Sequence, residues 1–520
     1  MKKLWAFAIG AVCIAYLAVR LWGLTDSCLW FDEIFSVHAA EHSWNSILWF
    51  VSLDLIHPPL FYVLLKLWIG IGGESVFWLR LFPVIFSVIA IFPFLSLCRE
   101  LKLGKWTQVV ALFLLAINGS LIKYAQEVRM YSLLMCLSLF SIWLFARYFV
   151  KGKSFVPLVI VNVLMVYTHY FGWFVVLSEV LLIVWFQRIK WRRIVVMFWT
   201  TFACFLPWAI TVLIAARSGS GLEQNIGWMS RPGVRQVVTF VLNIIEPFYF
   251  QTSSAEPISI LQVTVPILLI VVIAAVLYLI NWQKLSEHER SSFYFLLVFI
   301  KLPVVVTFLA SWLLPYSMWG TRHLIVVFAP FCIYAAVILT SRSVKWLPAA
   351  AVSLLVSFAG YGFEIRAGKE RPQNSWCAWE PLVNEMVLTP DYSSQPRTIY
   401  TFEQLVGYHI WFAGRSFPNY QVNVVKDFPG TKEDAAYFLP RGFDKVKLLD
   451  PETAFSGSEL WVAFRDADPD HDKPGVSAFS NRPKVLREMD YLGYEPVDAK
   501  KTRVGNESVF LVKMVRRPQE

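Results

Sequence analysis

Apolar stretches about 20 residues long recur along the chain up to residue 362, and nothing else constrains its fold so strongly. A run of ~17–25 apolar residues is what one helix needs to cross a bilayer. Eleven such runs are read at 4–24, 76–98, 106–122, 130–149, 155–171, 172–187, 194–214, 258–281, 291–313, 323–340 and 344–362. A further apolar piece, 58–72, is short for a span and reads as a helix lying in the membrane interface. With 57% hydrophobic residues and a mean hydropathy of +0.53, the composition excludes an ordinary soluble protein. The net charge of +10 would suggest nucleic acid if the basic residues shared a soluble face. Instead they fall in short runs between apolar stretches, so membrane lipids are the expected surroundings and nucleic acid is not an expected partner.

Those short runs set the expected orientation. Lys2 and Lys3 precede the first stretch, and no small-residue cleavage site follows it, so it reads as an uncleaved helix that begins inside the cell. The inner connections then carry 16 Lys and Arg and the outer ones 6, as the positive-inside rule requires. If 58–72 spanned, every later connection would change sides. From 363 to 520 the chain turns polar and has the length of one small outer domain of α/β type. Strand-like pieces occur at 398–402, 459–464 and 508–515 and helix-like ones at 379–388 and 402–412, with turn signals at Phe428-Pro429-Gly430 and Lys473-Pro474-Gly475. The expected architecture is a polytopic α-helical membrane protein of about 11 transmembrane helices. Residues 1–362 form its transmembrane catalytic domain, whose first outer loop, 25–75, carries interfacial helices, and 363–520 form the soluble domain.

Polar residues then gather on the outer side. Trp30-Phe31-Asp32-Glu33 and His57-Pro58-Pro59 lie in the first outer loop, which has no Lys or Arg between Arg20 and Lys66. Tyr124 through Tyr131, including Glu127 and Arg129, form a second turn; Thr168-His169-Tyr170-Phe171-Gly172 a third; Tyr316 through Arg322-His323 a fourth. Singly, each has an ordinary reading. Asp32 can cap a helix starting at Glu33, a terminal Arg can snorkel to headgroups, and Tyr beside His can belong to the interfacial aromatic belt. Together, acids in one loop and arginines in others suit an anionic headgroup held opposite a base.

The runs Leu29-Trp30-Phe31-Asp32-Glu33-Ile34-Phe35-Ser36-Val37, His57-Pro58-Pro59-Leu60-Phe61-Tyr62, Arg80-Leu81-Phe82-Pro83, Tyr124-Ala125-Gln126-Glu127-Val128-Arg129-Met130-Tyr131 and Thr168-His169-Tyr170-Phe171-Gly172 resemble the bacterial family 39 glycosyltransferases. These are GT-C enzymes akin to protein O-mannosyltransferases, the lipid A aminoarabinose transferase and lipopolysaccharide-core galacturonosyltransferases. The resemblance is strong over 1–190, weaker to about 345, where His323 stands in place of a family Tyr, and says little of the tail. It implies a GT-C fold in a bacterial inner membrane, with an odd number of spans and a periplasmic C-terminal domain. It further implies a polyprenyl-phosphate sugar donor, an inverting transfer and a carboxylate base in the first outer loop.

The residue types suit that chemistry. An acceptor hydroxyl needs a base within hydrogen-bond reach, the role of Asp32, with Glu33 orienting it or binding a sugar hydroxyl or cation. The departing lipid phosphate needs its charge stabilised, which an Arg fork does bidentately. Arg129 is the first candidate and Arg322 the second, with His57 a third donor. Tyr124, Glu127, Tyr131, His169 and Tyr170 are the candidate substrate-binding residues. No cofactor is expected with certainty, a divalent cation stays open, and no metal ligands are assigned; His38 and His42, four residues apart, read equally as an amphipathic helix end. Glu179 and Lys301, inside predicted spans, either pair or line a wet cavity. A lipid-linked oligosaccharide flippase is the rival function, but it would need polar groups through the depth of the bundle. The acceptor, whether lipid, glycan or protein, is not legible. Of seven cysteines only Cys28 and Cys377 fall outside predicted spans on the outer side, where an oxidising compartment permits a bridge; two separate thiols are the alternative.

Overall fold

The computed structural model describes residues 2–151, 155–186, 191–217, 226–227, 229–250, 259–341, 347–368, 375–388, 397–418, 420–428, 439–441, 443–455, 457–466, 483–504 and 507–518. The turn signals at 429–430 and 473–475 lie outside them. The chain divides into two compact units, one of residues 1–25, 36–251 and 255–370, the other of 26–35, 252–254 and 371–520.

The first unit is helical. Among the described residues, seven helices are long and apolar enough to cross a membrane: Lys3–Leu21, Val76–Glu100, Tyr131–Tyr148, Val195–Ala216, Leu261–Ile280, Glu287–Leu313 and Pro348–Ala367. Lys105–Ile117, Val156–Val166, Gly172–Val184 and Ile325–Leu339 are shorter apolar helices and occupy the other four expected spans. Leu60–Gly72, expected in the interface, is a 13-residue helix.

One expected span is not a single helix. The stretch 106–122 breaks after Ile117 and resumes as Gly119–Ala125. Backbone freed inside a bilayer must find protein partners, and the groups freed here do. Asn118 Oδ1 accepts from Leu121 N at 3.0 Å, capping the second helix, and its Nδ2 donates to Ile244 O at 2.9 Å. Gly119 N donates to Glu246 O at 2.8 Å and Phe248 N to Ile117 O at 2.7 Å, so 117–119 runs as an antiparallel bridge against 246–248. The last carbonyls of Lys105–Ile117 go to Arg20, whose Nη1 and Nη2 donate to Ala116 O and Leu115 O at 3.1 Å each. Arg20 is fully buried over the Tyr16 ring, at 3.2 Å from its centroid, and is a structural pin. The bridge also fixes Gly119: a Cβ there would stand 2.9 Å from both Cβ and N of Tyr249. Gly119→Ala is therefore expected to cost about 1–3 kcal/mol by overpacking, read as a lowered melting temperature in detergent.

Glu179 is fully buried and accepts from Ser141 Oγ at 2.6 Å and Asn162 Nδ2 at 2.8 Å, while Lys301 is exposed on the helix surface. Neither expectation for this pair holds: the carboxyl is held in a compact hydrogen-bonded set within the helix packing.

The second unit is built on a six-stranded sheet. Its strands are β1 (Arg397–Thr401), β2 (Tyr420–Val425), β3 (Val446–Leu449), β4 (Glu459–Asp466), β5 (Tyr494–Val504) and β6 (Glu507–Arg516). The order is β3-β2-β1-β4-β6-β5, with β3, β2, β1 and β4 parallel and β6 and β5 antiparallel. The helix Gln404–Gly414 joins β1 to β2, and β1 and β4 form the point where the strand order reverses. Tyr400, Val462, Met489, Tyr494, Val512 and Met514 belong to its core. Three strands match the strand-like pieces; β2, β3 and β5 are additional. The expected boundary at 362/363 lies within the helix Leu347–Gly368, which runs on past it.

Cys28 and Cys377 form a disulfide within this unit, with Cα atoms 5.2 Å apart, and the other five cysteines are free. His409 is buried close to Arg465, and burial, with the guanidinium second, holds its imidazole down at about 3. The folded pKa lies below the ordinary 6.5, so protonation favours the unfolded chain. Its contribution is fully present above pH 6.5 and is lost as pH falls from there toward 3, at up to ~1.4 kcal/mol per pH unit. His409→Leu is expected to flatten the acid limb of the unfolding curve.

Candidate active site

Asp32 and Glu33 stand in the first turn of the helix Phe31–Glu41, and the segment 26–35 that holds them belongs to the second unit. The helix begins one residue before Asp32, so Asp32 is not its cap. Glu33 does the terminal work: its Oε2 accepts from Trp30 N at 3.2 Å, the reciprocal half of a capping box. Glu33 is fully buried, whereas Asp32 is half-buried and keeps access to solvent.

The cationic residues gather in the first unit. Arg129 lies in the non-helical turn 126–130, which is buried throughout. Gln126 ties that turn to the end of the first helix, its Nε2 donating to Trp22 O at 2.7 Å and Arg20 O at 3.1 Å. Arg129 N donates to Glu127 O, and the guanidinium reaches three side chains. Nη1 donates to Ser36 Oγ and Tyr62 OH at 3.3 Å each, and Nη2 to His57 Nε2 at 3.0 Å. Arg has no acceptor, so His57 must present Nε2 as a lone pair and carry its proton on Nδ1, where it donates to Asp54. The result is a relay Asp54–His57–Arg129 that fixes both the tautomer and the fork.

Two more imidazoles continue from His57. The rings of His57 and His169 lie 5.9 Å apart, as do those of His169 and His323. His169 Nδ1 accepts from Phe171 N at 3.1 Å, and His323 Nδ1 donates to Met318 O at 3.3 Å. Burial holds both imidazoles well below their ordinary range, and nearby charge adds to this: His57, Arg129 and Arg322 at His169, Arg322 chiefly at His323. The imidazoles stay neutral where the arginines are charged. Tyr131 packs 6.1 Å from His169 and 5.0 Å from Tyr124, and buried Lys123 sits 5.5 Å over the Tyr124 ring.

Of the residues singled out from sequence, the fold thus brings together His57, Arg129, Tyr131, Tyr124, His169 and Arg322, with Glu127 buried in the Arg129 turn. Tyr170 is turned another way: its OH accepts from Trp208 Nε1 at 3.2 Å, its ring packs on Phe205, and burial pushes its phenol up to about 12. Asp54, Ser36, Tyr62 and Lys123 were missed. An acid three residues before a histidine was a legible signal for Asp54; for Ser36 and Tyr62 only the folded contact identifies them. Among the described residues, no three His, Cys, Asp or Glu side chains gather as metal ligands. His42 Nδ1 is engaged with His38 O at 2.9 Å and its ring stacks on Phe50 at 4.0 Å.

No family model and no curated protein matches the chain. Solved structures do. ArnT from Cupriavidus metallidurans in the apo state aligns with a TM-score of 0.50 at 13% identity, covering 90% of this chain and 96% of that one. The chain has a GT-C fold. The same ArnT bound to undecaprenyl phosphate aligns at 0.49 and 11% identity, covering 92% and 97%. The oligosaccharyltransferase of Archaeoglobus fulgidus in the apo form aligns at 0.49 and 13%, covering 79% of this chain. This chain spans 64% of that oligosaccharyltransferase's length. At 13% identity the likeness to apo ArnT is one of fold alone.

Proposed function

We propose that this GT-C protein is an inverting glycosyltransferase that moves a sugar from a polyprenyl-phosphate donor to a lipid, glycan or protein acceptor. The reaction takes place at the periplasmic face of a bacterial inner membrane. The observation that carries the reading is the buried Arg129 fork. It is oriented by Ser36, Tyr62 and the Asp54–His57 relay, and lies close to Arg322 through His169. A guanidinium held this way suits a phosphate dianion. His57 is not the third phosphate donor expected from sequence, because it accepts from Arg129 and gives its one N–H to Asp54; of the imidazoles, His169 keeps an N–H on Nε2 to offer. ArnT bound to undecaprenyl phosphate supports the class of donor by analogy of fold.

In this reading Asp32 takes the proton from the acceptor hydroxyl as its oxygen attacks the anomeric carbon. The bond from that carbon to the phosphate oxygen breaks on the opposite face, so configuration inverts. The prenyl phosphate leaves with its charge held by Arg129 and Arg322, and no proton need reach it. Tyr124 and Tyr131 offer aromatic faces to the sugar or prenyl chain.

The test is release of prenyl phosphate by purified protein given a panel of prenyl-phosphate sugars and a membrane extract as acceptor. Release above a heat-treated control is expected for one sugar class; none for any sugar would overturn the reading. Orientation is checked separately: a reporter active only outside the cytoplasm is expected to be active when fused after Glu364 and silent near Lys151.

A further inference from the structure

We infer that the C-terminal unit is the anchor that positions the acidic pair Asp32–Glu33, through Cys377, Trp376, Arg465 and His409. The inference rests on the proposed role of Asp32 as base. Residues 26–35 cluster with the sheet unit. They are fastened to it at two places: the disulfide Cys28–Cys377, reinforced by Cys28 N donating to Cys377 Sγ at 3.1 Å, and Phe31, whose ring meets Tyr408 edge-on at 5.3 Å.

Both fastenings lead to the same end of the sheet. Cys377 lies in the short 3-10 helix Ser375–Ala378, next to Trp376. Trp376 is clamped on two sides, with the Arg465 guanidinium 4.3 Å over its ring centroid and the His409 ring stacked 5.0 Å away at 20°. Arg465, near the C-terminal end of β4, forms an ion pair with Glu403, just past β1, and lies 3.6 Å from Glu507 at the start of β6. His409 and Tyr408 are neighbours on the helix that follows β1.

The point where strand order reverses, between β1 and β4, is where open α/β sheets ordinarily take a ligand. Here that end holds a buried ion pair and a clamped tryptophan whose next residue is disulfide-bonded four residues before Asp32. The arrangement is rigid where it matters. The clamp joins two strands and a helix, the disulfide carries it to Cys28, and Trp30 N–Glu33 closes the first turn of the helix Phe31–Glu41. Trp376, Arg465, His409 and the disulfide are thus positioning residues.

The test pairs amide hydrogen exchange with kinetics on the full-length protein. Trp376→Ala and the double variant Cys28→Ser/Cys377→Ser are expected to speed exchange in 26–35 about tenfold or more while β4 stays protected. kcat should fall about tenfold or more through misplacement of the base, with donor KM within about twofold. Trp376→Phe, which keeps a ring in the clamp, should restore both. Unchanged exchange in 26–35 overturns the anchoring, and loosened 26–35 with normal kcat overturns its positioning of the base. Loss of β4 protection in Trp376→Ala transfers the decision to the serine pair, which leaves the sheet's own contacts untouched. Should wild-type protein release no prenyl phosphate from any donor, the functional reading fails while the exchange result still decides whether the segment is anchored.

Discussion

Replacing Asp32 by Asn is expected to lower turnover by at least ~10²-fold, the scale of a lost general base, with the fold left intact. Asn keeps the shape and one acceptor oxygen but takes no proton at neutral pH. The stability cost should be small, because Asp32 is half-buried and the helix terminus is completed by Glu33 at Trp30 N. Losing one carboxylate from the first turn removes only ~0.3–1 kcal/mol of favourable interaction with the helix dipole. Glu33→Gln retains an oxygen to accept from Trp30 N and should lose only a few-fold in rate. Single-turnover release of prenyl phosphate, measured beside thermal melting, separates the two positions. Activity of Asp32→Asn within a few-fold of normal would remove it from the role of base. A large fall in melting temperature with little catalytic defect would assign it to the helix instead.

Arg129→Lys should be nearly as damaging, for a different reason. The guanidinium serves Ser36 and Tyr62 through one nitrogen and His57 through another. A single ammonium cannot reach all three from one point and still face a phosphate. Some member of the buried set is left without its donor, at about 1–3 kcal/mol. The developing charge on the leaving phosphate loses a bidentate partner, so kcat/KM for donor should fall ~10²–10³-fold. Arg322→Lys should cost about tenfold or less, since that residue is half-buried and assists from beside His169 and His323. Asp54→Asn and Arg129→Lys should prove non-additive, because both act through the His57 ring. Normal turnover in both arginine variants would place the phosphate elsewhere.

What the sequence made legible follows from the range over which each signal acts. Apolar stretches of about 20 residues declare themselves locally, and the structure has helices at all eleven. The break at Asn118 does not, since it sits inside an apolar stretch and its partner Ile244 is 126 residues away. Arg20, inside the first apolar stretch, is buried among carbonyls left without helical partners by that break. The grouping of 26–35 with the sheet unit ran against chain adjacency, which assigns a first loop to the helices flanking it. Strand β5 hid behind Lys500-Lys501-Thr502-Arg503, a charged edge whose purpose is to discourage further pairing. The basic cluster was half legible: His57, Arg129 and Arg322 announce themselves by type, while Ser36 and Tyr62 look like any serine and tyrosine until the guanidinium meets them.

The bridge between Cys28 and Cys377 also sets an order of events in the making of the protein. The two cysteines are 349 residues apart, so at ~5–20 residues per second Cys28 waits about 17–70 s for its partner to be synthesised. Throughout that wait the intervening helices are being inserted, and the thiol at residue 28 is open to other partners. The acidic segment is locked only after the last helix is in place and the sheet unit has formed around Cys377. A nascent or truncated chain ending before Cys377 would carry every residue of the basic cluster and still lack the bridge that fixes the segment of Asp32, the proposed base. On the proposed role of Asp32, synthesis beyond Cys377 thereby becomes a condition for turnover, enforced by a covalent bond.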